Sequence, residues 1–325
     1  MRIEAMDYYG LTKEFYHAGF YTTEQHKRLF KEISASIRLG GLIALSGMIG
    51  SGKTLLLRKL QEILAKEGKI TVARSLSVEK QKVTLTTLIA ALYYDLAPKA
   101  TKDMRIPAHG ERRERELREL IRQGRKPVVL FVDEAHDLPK ETLKGLKRLH
   151  EVILDAGETL SIVLAGHPKL KNDLKKSTME EIGHRTTIYS LDGAINSRRE
   201  FIEWLLDECS TPNVKATDIF EPGAIDLLAE KLLTPLQIEQ HLVMAIEAGH
   251  DADEKPISAS IVDSILSGIL TDWEGALTRY GYDQRSLSQL LNVPQPEVKL
   301  LLRGQLDPSR TRELQDQLRV VGLPI

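Results

Sequence analysis

Residues 47–54 read Gly-Met-Ile-Gly-Ser-Gly-Lys-Thr, between the apolar segment Leu42–Ser46 and the amphipathic stretch Thr54–Glu67. No other feature constrains the fold so tightly. Glycines let a loop wrap so that backbone N–H groups converge, and a helix starting there adds its partial positive charge. The pattern G-x-x-x-x-G-K-[ST], directly after a strand and directly before a helix, is the cradle for a nucleotide triphosphate. Gly47, Met48, Ile49, Gly50, Ser51, Gly52, Lys53, Thr54 and Leu55 are therefore expected to line a nucleotide. Lys53 would reach the β- and γ-phosphates, and the Thr54 hydroxyl would ligate Mg²⁺.

A second motif agrees. Val128–Val132 is a run of five apolar residues followed by Asp133 and Glu134. Such a strand places two carboxylates at its C-terminal end, where open α/β sheets bind ligands. Asp133 would hold Mg²⁺ through water and Glu134 would polarise the attacking water. An apolar strand ending in Asp-Glu can by itself merely cap a helix; paired with the loop at 47–54 it points to ATP hydrolysis, with ATP and Mg²⁺ as cofactors.

Strands are predicted at Leu42–Ser46, Ile70–Arg74, Val128–Asp133, Ser161–Ala165 and Thr187–Leu191, with amphipathic helices such as Lys140–Ala156 between them. Near-continuous apolar strands separated by helices imply a parallel sheet covered on both faces. After Leu191 the strands stop, and 197–209, 222–232, 235–248 and 258–270 read as helices. The expected architecture is α/β: an aromatic lead-in at 1–40, a phosphate-loop parallel-sheet domain at 41–195, a small helical lid at 196–275 and a helix-turn-helix-like segment at 276–325. One cysteine, Cys209, excludes a disulfide framework and a cysteine-based zinc site. No apolar run approaches the roughly 20 residues of a membrane helix, and the acidic N-terminus lacks a signal peptide's apolar core. A cytoplasmic protein without a membrane partner is expected.

The order and interval of the two motifs, with helices following the sheet, resemble an AAA+ ATPase. Within that class, "YYGL", "VDEAHDL" and "LAGHPKL" resemble the ATPases of transposition (Mu B-type, TnsC-type and TniB-type) and the related secretion ATPases of ExeA type. The resemblance covers roughly residues 7–270. It implies a polar γ-phosphate sensor at His167, after the fourth strand, although a loop histidine is an equal reading. It implies an arginine finger at Arg185 that completes a neighbouring subunit's site, with Arg198 and Arg199 as alternatives and a plain surface arginine as the structural reading. Tyr21 falls in the segment that borders the adenine, where an aromatic can equally be core. The lid of such ATPases commonly carries a second, arginine sensor; here Gln237 stands at that place, and a neutral amide cannot make the same charged contact. Slow turnover and ATP-bound assembly into a ring or filament are the expectation.

Lys and Arg number 45 against 46 Asp and Glu, a formal charge of −1, so any pull on nucleic acid must come from a local patch. Residues 99–126 hold ten Lys and Arg against five acids. The opposite-charge spacing of Arg112–Arg122 suits a solvated helix. Lys99, Lys102 and Arg105 are less compensated and are the expected phosphate contacts, with Lys80 and Lys82 as additions; the resemblance implies that this region lines a channel for duplex DNA. Residues 286–304 look like a helix-turn-helix in which Asn292 takes the left-handed turn position, Val293 and Val298 pack inside, and Gln295, Lys299 and Arg303 face outward. DNA reading and protein docking are equal readings of that segment. The expected function is an ATP-dependent regulator of transposition on duplex DNA that recruits a transposase. An ExeA-like secretion ATPase and a nucleotide-switched scaffold with little hydrolysis are the alternatives.

Overall fold

A computed structural model describes residues 1–75, 80–97, 106–266, 273–303, 305–320 and 323. The chain forms two compact units: His26–Gly47 with Lys53–Leu191, and Met1–Gln25 with Met48–Gly52 and Asp192–Ile325.

The first unit is a five-stranded sheet, β1 (Leu42–Ser46), β2 (Thr71–Arg74), β3 (Val128–Val132), β4 (Leu160–Gly166) and β5 (Thr186–Ser190), in the order β2-β3-β4-β1-β5. Every pairing is parallel. Parallel strands need helical crossovers, and helices on both faces bury the strands completely. All residues of β1, β3 and β4 are buried, which explains their unbroken apolar sequence. Helices Lys53–Glu67, Leu85–Leu96, Gly110–Gly124 and Lys140–Asp155 accompany the sheet. Leu88, Leu92, Leu117, Ile121, Leu146 and Ile153 supply the helical side of its core.

Helix Gly110–Gly124 shows why its charges read as a solvated face. Only Leu117 and Ile121 are buried, while Arg112 pairs with Glu116 at 2.8 Å and Arg122 with Glu119 at 2.8 Å on exposed side chains. Pairs one turn apart in water add only tenths of a kcal/mol each. Lys99, Lys102 and Arg105 lie outside the described residues, as does the side chain of Lys80. The backbone of Lys80–Lys82 forms a single 3₁₀ turn, with Lys82 exposed.

The second unit is helical among its described residues. The lead-in joins the late helices through contacts far apart in sequence. Tyr9, buried, donates its hydroxyl to the Glu254 carbonyl at 2.6 Å, and the Thr12 N–H donates to the Cys209 carbonyl at 2.7 Å. Helices Arg198–Cys209, Pro222–Lys231, Pro235–Asp251 and Ala259–Leu266 close over Tyr9, Phe201, Phe220, Leu228 and Ile246. Tyr21 lies 5.4 Å from the Phe201 ring and 5.1 Å from Trp204, so its aromatic character has a packing explanation here.

Leu130 is wholly buried in β3. Truncating a buried leucine removes transfer energy and leaves a cavity, so Leu130→Ala should lose about 2–5 kcal/mol of stability. Equilibrium urea unfolding measures it, and a loss within error of zero would contradict this packing.

Candidate nucleotide site

The site is set by strand order. β4 lies between β1 and β3, with Ser46 opposite Gly166 and Val132 opposite Leu164. The residues that leave those strands, Gly47, His167 and Asp133, therefore emerge along one edge. Gly166 keeps the strand exits close: a Cβ there would stand 3.2 Å from the His136 nitrogen and 3.0 Å from Leu170 Cδ2.

On that edge the Thr54 hydroxyl donates to Asp133 Oδ2 at 2.7 Å. A hydroxyl and a carboxylate so placed are hard oxygen ligands of the kind Mg²⁺ takes, the rest of its shell coming from phosphate and water. This donor set fits the expected ion. Lys53, only 8% exposed, donates through Nζ to the Gly47 carbonyl at 2.8 Å. Glu134 is exposed and adopts φ 52°, ψ 38°, with its N–H on Asp133 Oδ1 at 2.9 Å. A left-handed backbone is uncommon for glutamate, and such conformations cluster at functional sites.

His167 begins helix Pro168–Leu174 and hydrogen-bonds the Gly47 backbone. Its ring stands 3.8 Å from that of His136, centroid to centroid. Sequence reasoning assigns His136 no role. The only local signal for it is its position two residues beyond the acid pair. Burial holds His167 down to about 3, with His136 and Lys53 pushing the same way. Burial likewise holds His136 down to about 4, helped by Lys169 and Lys53. Both rings are neutral at physiological pH. Among the described residues their Nδ1 atoms, and Ser46 Oγ, are buried with no hydrogen-bond partner. Buried polar atoms without partners are costly, so this edge suits a polar ligand.

Arg185 precedes β5, is 57% exposed and pairs with Glu151 in the same unit. Arg199 pairs with Glu203 and Asp226 in the helical unit.

The central loop residues are held within the helical unit. The Met48 N–H donates to Asp192 Oδ1 at 2.9 Å, the Ile49 N–H to the Arg279 carbonyl at 2.8 Å, and the Leu236 N–H to the Gly50 carbonyl at 3.2 Å. Gly50 and Gly52 have φ of 78° and 87°. A Cβ on Gly50 would lie 2.6 Å from the Leu236 Cβ. Gln237 completes a capping box with Thr234: its side-chain oxygen accepts the Leu233 and Thr234 N–H groups at 3.0 and 3.2 Å. The amide that stands where a sensor arginine was expected thus closes the start of its own helix. Asp192 and Arg279 could not be found from sequence, because nothing local links them to the loop.

Residues 37–174 match the family described as an AAA domain. Among solved structures, the Aeropyrum pernix ORC2 protein in its ADPNP–ADP complexes superposes with a TM-score of 0.56 at 14% identity, covering 97% of this chain and 91% of that one. The fold is that of a P-loop AAA+ protein. The Aeropyrum pernix ORC1 protein in complex with DNA is a further AAA+ match, with a TM-score of 0.51, 16% identity, and 96% and 88% of the two chains covered. General secretion pathway protein A of Aeromonas hydrophila is 27% identical over 168 residues; the match takes in 51% of this chain and 30% of that protein. The comparisons thus give an AAA domain over residues 37–174 and a P-loop AAA+ fold.

The geometry sets two expected outcomes. Gly50→Ala combines a positive φ with a steric conflict and should cost about 1 kcal/mol or more. Equilibrium urea unfolding checks it, and a loss within error of zero would contradict this close approach. The histidines set a pH effect. Their folded pKa values lie below the unfolded value of 6.5, so as pH falls below that value the unfolded chain takes up protons first. Stability is unaffected above about pH 7 and declines progressively below about 6.5, towards pH 4 for His136 and pH 3 for His167. Urea midpoints at about pH 7 and about pH 5 should differ less for His136→Asn than for the unmodified protein; equal differences would refute the burial-driven depression.

Proposed function

We propose that this chain is an ATP-dependent AAA+ regulator of DNA transposition that assembles on duplex DNA and recruits a transposase. The observation that carries its chemistry is the Thr54–Asp133 pair at 2.7 Å beside the buried Lys53. Bound ATP and Mg²⁺ would supply the phosphoryl group and neutralise the charge that develops on it. Gly47–Leu55 would cradle the phosphates and Lys53 would bind their β- and γ-oxygens. Glu134 would orient the attacking water and take its proton. His167, anchored on Gly47, would sense the γ-phosphate as a neutral imidazole. Arg185 would exchange its contact with Glu151 for a neighbouring copy's site, closing ATP into a homo-oligomeric ring or filament. Tyr21 would border the adenine from the lead-in.

Several features support the DNA reading: the resemblance of "VDEAHDL" and "LAGHPKL" to transposition ATPases, the basic segment containing Lys99, Lys102 and Arg105 with Lys80 and Lys82 nearby, and the same fold solved with DNA in the ORC1 protein. Gln237 in place of a lid arginine supports slow turnover. A second reading, an ExeA-like secretion ATPase, draws support from the match to General secretion pathway protein A. Among the described residues no helix is long and apolar enough to cross a membrane. Stable association with membranes, with no affinity for DNA, would favour that second reading.

Glu134→Gln should lower ATP turnover by about 10²–10⁴-fold while leaving ATP affinity and assembly in place. Lys53→Ala should abolish both binding and assembly. DNA affinity of the ATP-loaded protein should fall steeply with salt. A protein that binds DNA equally with and without a functional Lys53, or not at all at low salt, would refute the proposal.

A further inference from the structure

Residues 277–303, 305–320 and 323 share an apolar cluster of their own, which meets the phosphate loop at the Arg279 carbonyl. Helices Gln284–Leu291 and Gln295–Leu302 meet through a tight turn in which Asn292 has φ 53° and ψ 43°. The Val293 N–H returns to the Ser288 carbonyl at 3.1 Å, and the Ser288 hydroxyl donates to the Val293 carbonyl at 2.6 Å. Leu287, Leu291, Val293, Val298 and Leu301 lock the two helices against Leu314 and Leu318 of helix Pro308–Val320. With Val298, Leu301 and Leu302 inward, the second helix presents Gln295, Lys299 and, at its C-cap, Arg303 along one exposed stripe, flanked by Leu300 at 41% exposure.

The charges of this segment are sorted. Its acids are engaged: Asp283 accepts the Ser286 N–H at 2.7 Å, Glu297 and Glu313 each hold Arg310 at 2.7 Å, Asp307 accepts from the Ser309 N–H at 2.9 Å, and Asp316 has a partner of its own. Arg285, Lys299, Arg303 and Arg312 are exposed. Among the described residues none of these four side chains enters a hydrogen bond or ion pair. These four basic side chains thus face solvent with no acid against them among the described residues, while Glu297 and Glu313 are paired with Arg310 and Asp283 and Asp307 accept cap N–H groups.

We infer that helix Gln295–Leu302 enters the major groove of duplex DNA and reads base edges, a second DNA site distinct from the backbone contacts proposed for Lys99, Lys102 and Arg105. The major groove admits one α-helix, and the side chains on offer match its code: Lys and Arg to the acceptors of guanine, Gln to adenine, an apolar side chain to the thymine methyl. The phosphate-contact segment would supply affinity without sequence information. Sequence selectivity would reside in this turn-linked helix pair.

The test is selection of bound sequences from random-sequence duplexes with the full-length protein and ATP, repeated with Lys299→Ala/Arg303→Ala and with Gln295→Ala. The unmodified protein should enrich a discrete short sequence. The double variant should bind that sequence at least about tenfold more weakly, and its discrimination against a scrambled duplex should collapse. Unchanged ATP affinity and circular dichroism show that it has folded; should it fail to fold, Lys299→Glu alone is the second variant, with the same expected loss. Binding without any enriched sequence, or the same enriched sequence from protein and variant, would overturn the inference and leave the helix face to protein docking. The proposed function is tested separately: Lys102→Glu/Arg105→Glu should weaken all duplexes uniformly and prevent ATP-dependent assembly. Selective binding that survives this change would count against the proposed assembly and for the second site.

Discussion

Parallel pairing of β1 with β4 and of β4 with β3 brings three chain exits together, and the candidate site is built from the residues just beyond those strands. A one-residue slip in β4 would move every side chain to the opposite face of the sheet and carry Gly166 and His167 out of line with Ser46. With Ser46 opposite Gly166 and Val132 opposite Leu164, Lys53, Thr54, Asp133 and His167 stand at one edge although Lys53 and His167 lie 114 positions apart in the chain. The glycine that ends β4 matters as much as the polar residues. Its missing side chain leaves the space into which the turn carrying Glu134 and His136 fits.

The electrostatic design reflects that crowding. An ammonium is drawn under the surface onto a backbone carbonyl, and two imidazoles are pressed together and kept neutral by burial and by the same lysine. A neutral imidazole can donate a hydrogen bond without adding a charge that would compete with a metal ion. Glu134, beside these buried groups, stays open to solvent, on a left-handed backbone conformation. Position and protonation thus separate a group suited to handling water from groups suited to holding phosphate.

The helical unit shows another kind of dependence. Its lead-in is tied down by Tyr9 on Glu254 and by Arg2, whose guanidinium lies 2.8 Å from Asp251. The central residues of the phosphate loop are fixed there by Asp192, Leu236 and Arg279. The contact from Ile49 to Arg279 joins the loop to the point where the turn-linked helices begin.

Local chemistry was enough to read five strands, the phosphate loop, the Asp133–Glu134 pair and the Asn292 turn, because each is written in a short window: unbroken aliphatics for a strand buried on both faces, glycines where φ must be positive, a small polar residue where the chain turns left-handed. Strand boundaries came within one or two residues for the same reason. Adjacency was decided by tertiary structure alone. The placement of β4 between β1 and β3, the pairing of His136 with His167, the use of Gln237 as a cap, and the anchoring of the loop by Asp192 and Arg279 all join residues distant in sequence or compete for a side chain that has several possible partners. A window of sequence carries the propensity of each segment, whereas packing the whole apolar surface away from water selects which segments become neighbours.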